Sequence, residues 1–298
     1  VYKRQMLNTV SRFCMQSSID ADYISHLGAD PKKIYVTGNT KFDQTYAEVT
    51  PEDLENYKKE LGIENAYPVI VAGSTHPTEE KVLFDVFNEI IKSYPEARLV
   101  IAPRKPGRAD EISKLAKQYH WESGFRSKLL EIKGARSKYP VLLIDTIGEL
   151  GRIYSVGDVV FVGGSLIKHG GHNVLEPAAH AKPILVGPNM QNFKDSYALL
   201  SKVGACKMIN NSAELTKEVL DIVGNDERRL QMGAASLQVI KENRGAAVRS
   251  IEYLQDLLTL TTVDSKVEAS YPTNIRNLHD EGGGRCLLYT SPSPRDTR

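Results

Sequence analysis

The sequence predicts an α/β fold, a Rossmann-like doubly wound parallel sheet. Three observations carry that expectation. Short, near-continuous apolar runs recur along the chain, helical periodicities separate them, and polar or glycine-rich loops follow the runs. Strands that are apolar throughout, rather than alternately, are strands covered by helices on both faces, which is the habit of parallel sheets.

The elements follow in order. Apolar runs predict strands over 68–72, 98–102, 140–144, 159–162, 183–186 and 205–209. Helical spacing predicts helices over 51–61, 78–93, 109–119, 173–181, 193–202, 212–223 and 226–260. In the second of these, Val82, Phe84, Val86, Phe87, Ile90 and Ile91 form an apolar stripe suited to core packing. Upstream, Ser17-Ser18-Ile19-Asp20 and Gly28-Ala29-Asp30-Pro31 are turn and cap signals, and 34–36 is strand-like. Residues 6–50 therefore read as the end of one unit and a linker, 51–262 as the Rossmann-like domain, and 263–298 as a tail. Residues 1–5 and 282–298 have the look of translated sequencing adaptor, the latter expected to be disordered. A first residue other than methionine fits a truncated chain.

Composition narrows the class. The 298 residues are 41% hydrophobic and 25% charged, ordinary for a globular protein. Thirty-eight basic against 37 acidic residues leave a net charge of +1, so nothing points to nucleic acid. Cys14, Cys206 and Cys286 are scattered, without metal or disulfide spacing. No apolar run approaches the roughly 20 residues of a bilayer span, and no signal peptide is visible.

The chemistry gathers after the strands. The run 159–162 leads into Gly163-Gly164-Ser165-Leu166-Ile167-Lys168-His169-Gly170-Gly171-His172-Asn173, and Asn173, Glu176 and Pro177 signal a helix start with Asn173 as N-cap. Strand, glycine loop and helix N-terminus form a geometry that holds an anion. Four more loops follow other strands: Gly73-Ser74-Thr75-His76, then Arg104, then Asp145-Thr146-Ile147-Gly148-Glu149-Leu150, and then Gly187-Pro188. In an open parallel sheet such loops line one crevice.

Each loop residue has two readings. Gly73, Ser74 and Thr75 suit a phosphate or a helix cap. Arg104 suits a phosphate or carboxylate, or plain solvent. Asp145 and Thr146 cap a helix or position a loop that reads a nucleobase, and Gly148, Glu149 and Leu150 open a helix facing the crevice. Glu176 holds ribose hydroxyls or closes a capping box with Asn173, and both can hold together. Lys168 meets a donor's charge or water. His76, His169 and His172 invite a metal, but no carboxylate stands at ligand spacing and the loops are glycine-rich. Contact with ligand oxygens, or a structural role, is expected instead, with no metal site. The dinucleotide fingerprint, the P-loop and a strand-end G-x-S-x-G are all absent.

The ordered motifs resemble one family, the 3-deoxy-D-manno-octulosonic acid (Kdo) transferases of lipopolysaccharide synthesis. They are Val36-Thr37-Gly38-Asn39-Thr40-Lys41-Phe42-Asp43, Ala72-Gly73-Ser74-Thr75-His76-Pro77-Thr78-Glu79-Glu80, Ala102-Pro103-Arg104, Asp145-Thr146-Ile147-Gly148-Glu149-Leu150, Phe161-Val162-Gly163-Gly164-Ser165-Leu166, Gly170-Gly171-His172-Asn173-Val174-Leu175-Glu176-Pro177, and Gly187-Pro188 with Asn192-Phe193. The resemblance covers roughly residues 6 to 260. It implies the C-terminal domain of a two-domain GT-B glycosyltransferase, binding CMP-Kdo as substrate with no cofactor. It further implies an N-terminal half that binds the lipid A precursor (lipid IVA), carries the acidic base and associates with the cytoplasmic face of the bacterial inner membrane. Transfer would invert the anomeric centre without a metal, and this piece alone would be inactive. Donor contacts would come from Ser74, Arg104, Gly163 to Ser165, Gly171, His172, Asn173 and Glu176, with 148–150 near the cytosine. Two alternatives stand beside it: another nucleotide-sugar transferase or epimerase of the same fold, and a nucleotide-binding piece without catalysis.

Overall fold

A computed structural model describes residues 2–44, 49–131 and 139–263. Seven parallel strands form one sheet, in spatial order β5-β6-β4-β3-β7-β8-β9. They are β3 (Val69–Thr75), β4 (Arg98–Pro103), β5 (Ser123–Phe125), β6 (Val141–Leu143), β7 (Val159–Val162), β8 (Ile184–Val186) and β9 (Cys206–Met208). Two shorter strands, β1 (Phe13–Met15) and β2 (Ile34–Val36), pair in parallel with each other. The strand order reverses between β3 and β7, so the switch-point crevice opens at the carboxyl ends of those two strands.

Alternate residues of each strand feed two cores. Val69, Val71, Val100, Leu142, Val160, Val162, Ile184 and Val186 pack on one face. Ile70, Ala72, Leu99, Ile101, Val141, Leu143, Phe161 and Leu185 pack on the other. The first face is covered by α3 (Pro51–Leu61), α8 (Leu175–Ala179), α9 (Lys194–Lys202) and part of α11 (Asp226–Asn243). The second is covered by α4 (Glu79–Ser93), α5 (Ala109–Gln118) and α10 (Ser212–Val223). Phe84, Phe87 and Ile90 of α4 are wholly buried, as the predicted stripe requires.

The remaining helices are α1 (Tyr2–Thr9), α2 (Ser18–His26), α6 (Arg126–Glu131), α7 (Leu150–Tyr154) and α12 (Ala246–Val263). No described helix is long and apolar enough to cross a membrane. Good local signals agree with several boundaries. Thr50 and Asp53 make a capping box at α3, Gly62 ends it in the left-handed region, and Asn211 caps α10.

Three expectations need revision. The helix expected over 226–260 is two helices, broken at Arg244-Gly245, where Gly245 takes φ +92°. The helix expected over 173–181 keeps only Leu175–Ala179. The edge strand β5, Ser123-Gly124-Phe125, lies outside the expected runs. The described residues of the 6–50 segment lie with the sheet in one compact unit, 1–253. Asp43 accepts the backbone N–H groups of Gly245 (2.5 Å) and Ala247 (2.6 Å), and Arg249 Nε donates to the Thr37 carbonyl at 2.8 Å. A second unit runs over 254–298, and its described part is helical to Val263. The expected foreign tail, 282–298, lies outside the described residues.

Candidate functional site

The loops after β3 and β7 are drawn together by one buried carboxylate. Glu79, at the first position of α4 and 1% exposed, accepts four backbone N–H groups. They come from His76 (2.9 Å), Gly164 (2.8 Å), Ser165 (3.1 Å) and Leu166 (3.0 Å). Burial pushes its carboxyl above the usual carboxylate range, with the four donors acting the other way. The same loops touch at Gly163, where a Cβ would meet the Ser74 carbonyl at 2.5 Å and Thr75 Cα at 2.7 Å. Only glycine permits that approach.

This corrects the expected role of the glycine loop. Its donors at Gly164 and Ser165 serve Glu79, and Gly163 N donates to the Gly73 carbonyl at 2.8 Å. The buried Ser165 hydroxyl donates to the Val162 carbonyl and accepts from Gly187 N. Gly171 N donates back to the Gly164 carbonyl. The loop is thus a protein-filled scaffold rather than an open anion cradle. The helix after it has five residues, so few peptide dipoles add up at its start. Asn173 is not its N-cap residue. Asn173 Oδ1 accepts from Leu175 N at 3.0 Å, and Nδ2 donates to Glu176 Oε1 at 3.0 Å, so the pair is side chain to side chain and not a capping box.

Other predicted residues also carry structural work. Thr75 donates to Glu80, which is paired with Arg108 at 2.7 Å. Asp145 accepts both the backbone N–H (2.8 Å) and the hydroxyl (2.5 Å) of Ser127 in α6. Glu149 meets the buried Arg126 at 2.9 Å. Those carboxylates hold the crevice wall. Thr146 Oγ1 is buried with no partner among the described residues, while Gly148 is exposed in the left-handed region. Beside this loop a cleft of about 430 Å³ lies among Pro106, Phe125, Lys128 and Asp145.

The remaining predicted residues differ in exposure and partners. Ser74 sits at φ +55°, an uncommon setting for a residue with a side chain, and the buried Tyr154 hydroxyl reaches it. Arg104 is exposed, its backbone tied to the Thr75 carbonyl at 3.0 Å. Burial raises the Glu176 carboxyl, with Asn173 opposing. Lys168 is exposed.

The family whose model matches is described as 3-deoxy-D-manno-octulosonic-acid transferase, over residues 2–44. A transferase of that name from Haemophilus influenzae is 30% identical over 254 residues, covering 85% of this chain and 58% of its own length. One from Aquifex aeolicus is 29% identical over 209 residues, covering 70% and 53%. Among solved structures, the C-terminal CMP-Kdo binding domain of WaaA from Acinetobacter baumannii matches with 26% identity and a TM-score of 0.58, covering 63% of this chain and 96% of that domain. Along most of its length the chain is similar to Kdo transferases. It spans between half and three-fifths of the length of those two curated relatives. A Staphylococcus aureus MnaA structure, with 14% identity and a TM-score of 0.54, shares the fold alone. Residues 2–5, set apart in the sequence, lie within both the family match and α1.

Two features of the site carry no signal in the sequence. The role of Glu79 had no local signal, because three of its four partners lie more than eighty positions away. The three histidines, unremarkable in spacing, converge: His76 Nε2 and His172 Nε2 are 2.8 Å apart, and the His169 ring lies tilted against His76 with centroids 4.1 Å apart. Burial, then the neighbouring imidazoles and Arg104, push His172 down to about 4, and burial also lowers His76. A depressed histidine stabilises the fold above its unfolded value of about 6.5 and loses that stabilisation as pH falls toward its folded value. His172→Gln should therefore flatten the decline in stability between pH 7.5 and 4.5 by about 1–3 kcal/mol, after allowance for solvent screening. Urea midpoints of both proteins at the two pH values check it.

Proposed function

We propose that the crevice at the carboxyl ends of β3, β4, β6 and β7 binds the CMP moiety of CMP-Kdo. In this reading the chain is the donor-binding part of a glycosyltransferase that moves Kdo onto a lipid A precursor, lipid IVA, in lipopolysaccharide biosynthesis. The observation that supports it most is the match to nearly the whole of a CMP-Kdo binding domain, combined with a strand order that reverses between β3 and β7. The enzyme would work at the cytoplasmic face of the inner membrane, inverting the anomeric centre without a metal. Its acidic base and acceptor contacts would lie in sequence outside this chain.

Chemically, departure of CMP leaves negative charge on a phosphate while positive character grows on the sugar. Arg104 would stabilise the first by a charge-assisted fork. Ser74, held in its strained backbone setting by the β3–β7 contact, would donate its hydroxyl. Glu176, kept oriented by Asn173, would accept from the ribose. The 145–150 loop would present Thr146 and its backbone to the cytosine. Calorimetric titration with CMP and UMP tests the donor class. CMP is expected to bind at least tenfold tighter, and equal or reversed affinities would favour a different nucleotide sugar.

A further inference from the structure

Three imidazoles close on one point between the β3 and β7 loops. One ring nitrogen each from His76, His169 and His172 lies within 4.8 Å of the other two. The His76 and His172 Nε2 atoms face each other at 2.8 Å, and the ring centroids of the three pairs are 4.1, 5.1 and 5.2 Å apart. Zinc holds imidazole nitrogen at about 2.0–2.1 Å in a tetrahedron, which sets neighbouring ligand atoms roughly 3.3 Å apart. Rotations of exposed or half-buried rings cover the difference.

The backbones carrying these rings are anchored. His76 N donates to Glu79, the His169 carbonyl accepts from Asn192 Nδ2 at 3.2 Å, and Gly171, beside His172, is bonded to Gly164. Anchored ligands lose little freedom when an ion arrives.

We infer that His76, His169 and His172 form a binding site for a divalent transition-metal ion of the zinc type, three-coordinate to protein with a fourth position for water or an anion. An all-imidazole set selects zinc, copper or nickel over magnesium and calcium, which need oxygen ligands. The charged surroundings set its character. Arg108 is neutralised by Glu80 and Glu111, but Arg104 and Lys105 leave positive charge near the rings. A cation there gains from an anionic fourth ligand, so chloride or hydroxide belongs to the site more than neutral water. The site stands on the three rings alone and does not depend on the nucleotide reading, nor is the ion assigned any part in sugar transfer.

The test uses the full chain, stripped of metal and free of nucleotide, titrated with cobalt(II) and then zinc(II). One cobalt per chain should bind with the strong visible absorption of a four-coordinate ion, and zinc should displace it. His169→Ala should weaken cobalt binding at least tenfold. His169 is exposed, so the metal-free variant should melt as the parent does, whereas Lys168→Ala should bind cobalt unchanged. Absence of one-to-one cobalt binding, or equal binding by His169→Ala, would overturn the assignment. Neither result bears on whether CMP binds.

Discussion

Glu79→Ala should cost about 3–5 kcal/mol of folding stability, a large part of the 5–15 kcal/mol that holds a typical domain. The carboxylate is 1% exposed and receives four backbone donors from two loops. Truncation strands those donors in the interior, and each stranded group costs about 1–3 kcal/mol before the loops relax toward water. Glu79→Gln keeps one acceptor oxygen but turns an amide N–H₂ toward the remaining donors, so about 2 kcal/mol is expected. Urea unfolding of the three proteins measures the series. A Glu79→Ala protein within about 0.5 kcal/mol of the parent, the range of ordinary surface changes, would mean the carboxylate does not hold the loops.

Glu176→Ala should weaken CMP binding about 30-fold, with the fold intact. One carboxylate oxygen takes the Asn173 amide, and the side chain stands at the start of α8 beside Tyr154. If Glu176 accepts from the ribose, the parent should prefer CMP over 2′-deoxy-CMP by about tenfold, the worth of one hydrogen bond to a charged group. Glu176→Ala should erase that preference. The cycle isolates the contact from any general loss of shape, since a merely structural residue would weaken both nucleotides equally and leave the preference in place.

The sheet was legible because buried parallel strands are written as apolar runs. Val159–Val162 carries the same bounds in sequence and structure, and Ser212–Val223 does so for a helix whose Asn211 cap is visible locally. Ser123–Phe125 escaped because an edge strand of Ser, Gly and Phe has no run to read. The break at Gly245 was overridden by apolar periodicity on either side, although a glycine after Asn243-Arg244 is a stop signal. The site divides in the same way. Strand-end loops and the switch point could be placed from the alternation of elements. The occupancy of the glycine loop by Glu79 could not, because a distant carboxylate meeting Gly164 leaves no local pattern. Nor could the meeting of His76 with His172, which spacing alone argues against. The 163–165 segment shows the cost: its glycines serve close backbone approach, while the sequence motif suggests anion binding.

The most direct measurement is the amide ¹H–¹⁵N spectrum of the chain titrated with CMP. Saturable shifts are expected at Gly73, Thr146, Gly148 and Gly171, at the carboxyl ends of the strands. Ala181 and Lys182, which precede β8 at the opposite sheet edge, should stay unmoved. Shifts confined to that opposite edge, or no saturable shift at the switch-point loops, would contradict a nucleotide-binding crevice between β3 and β7.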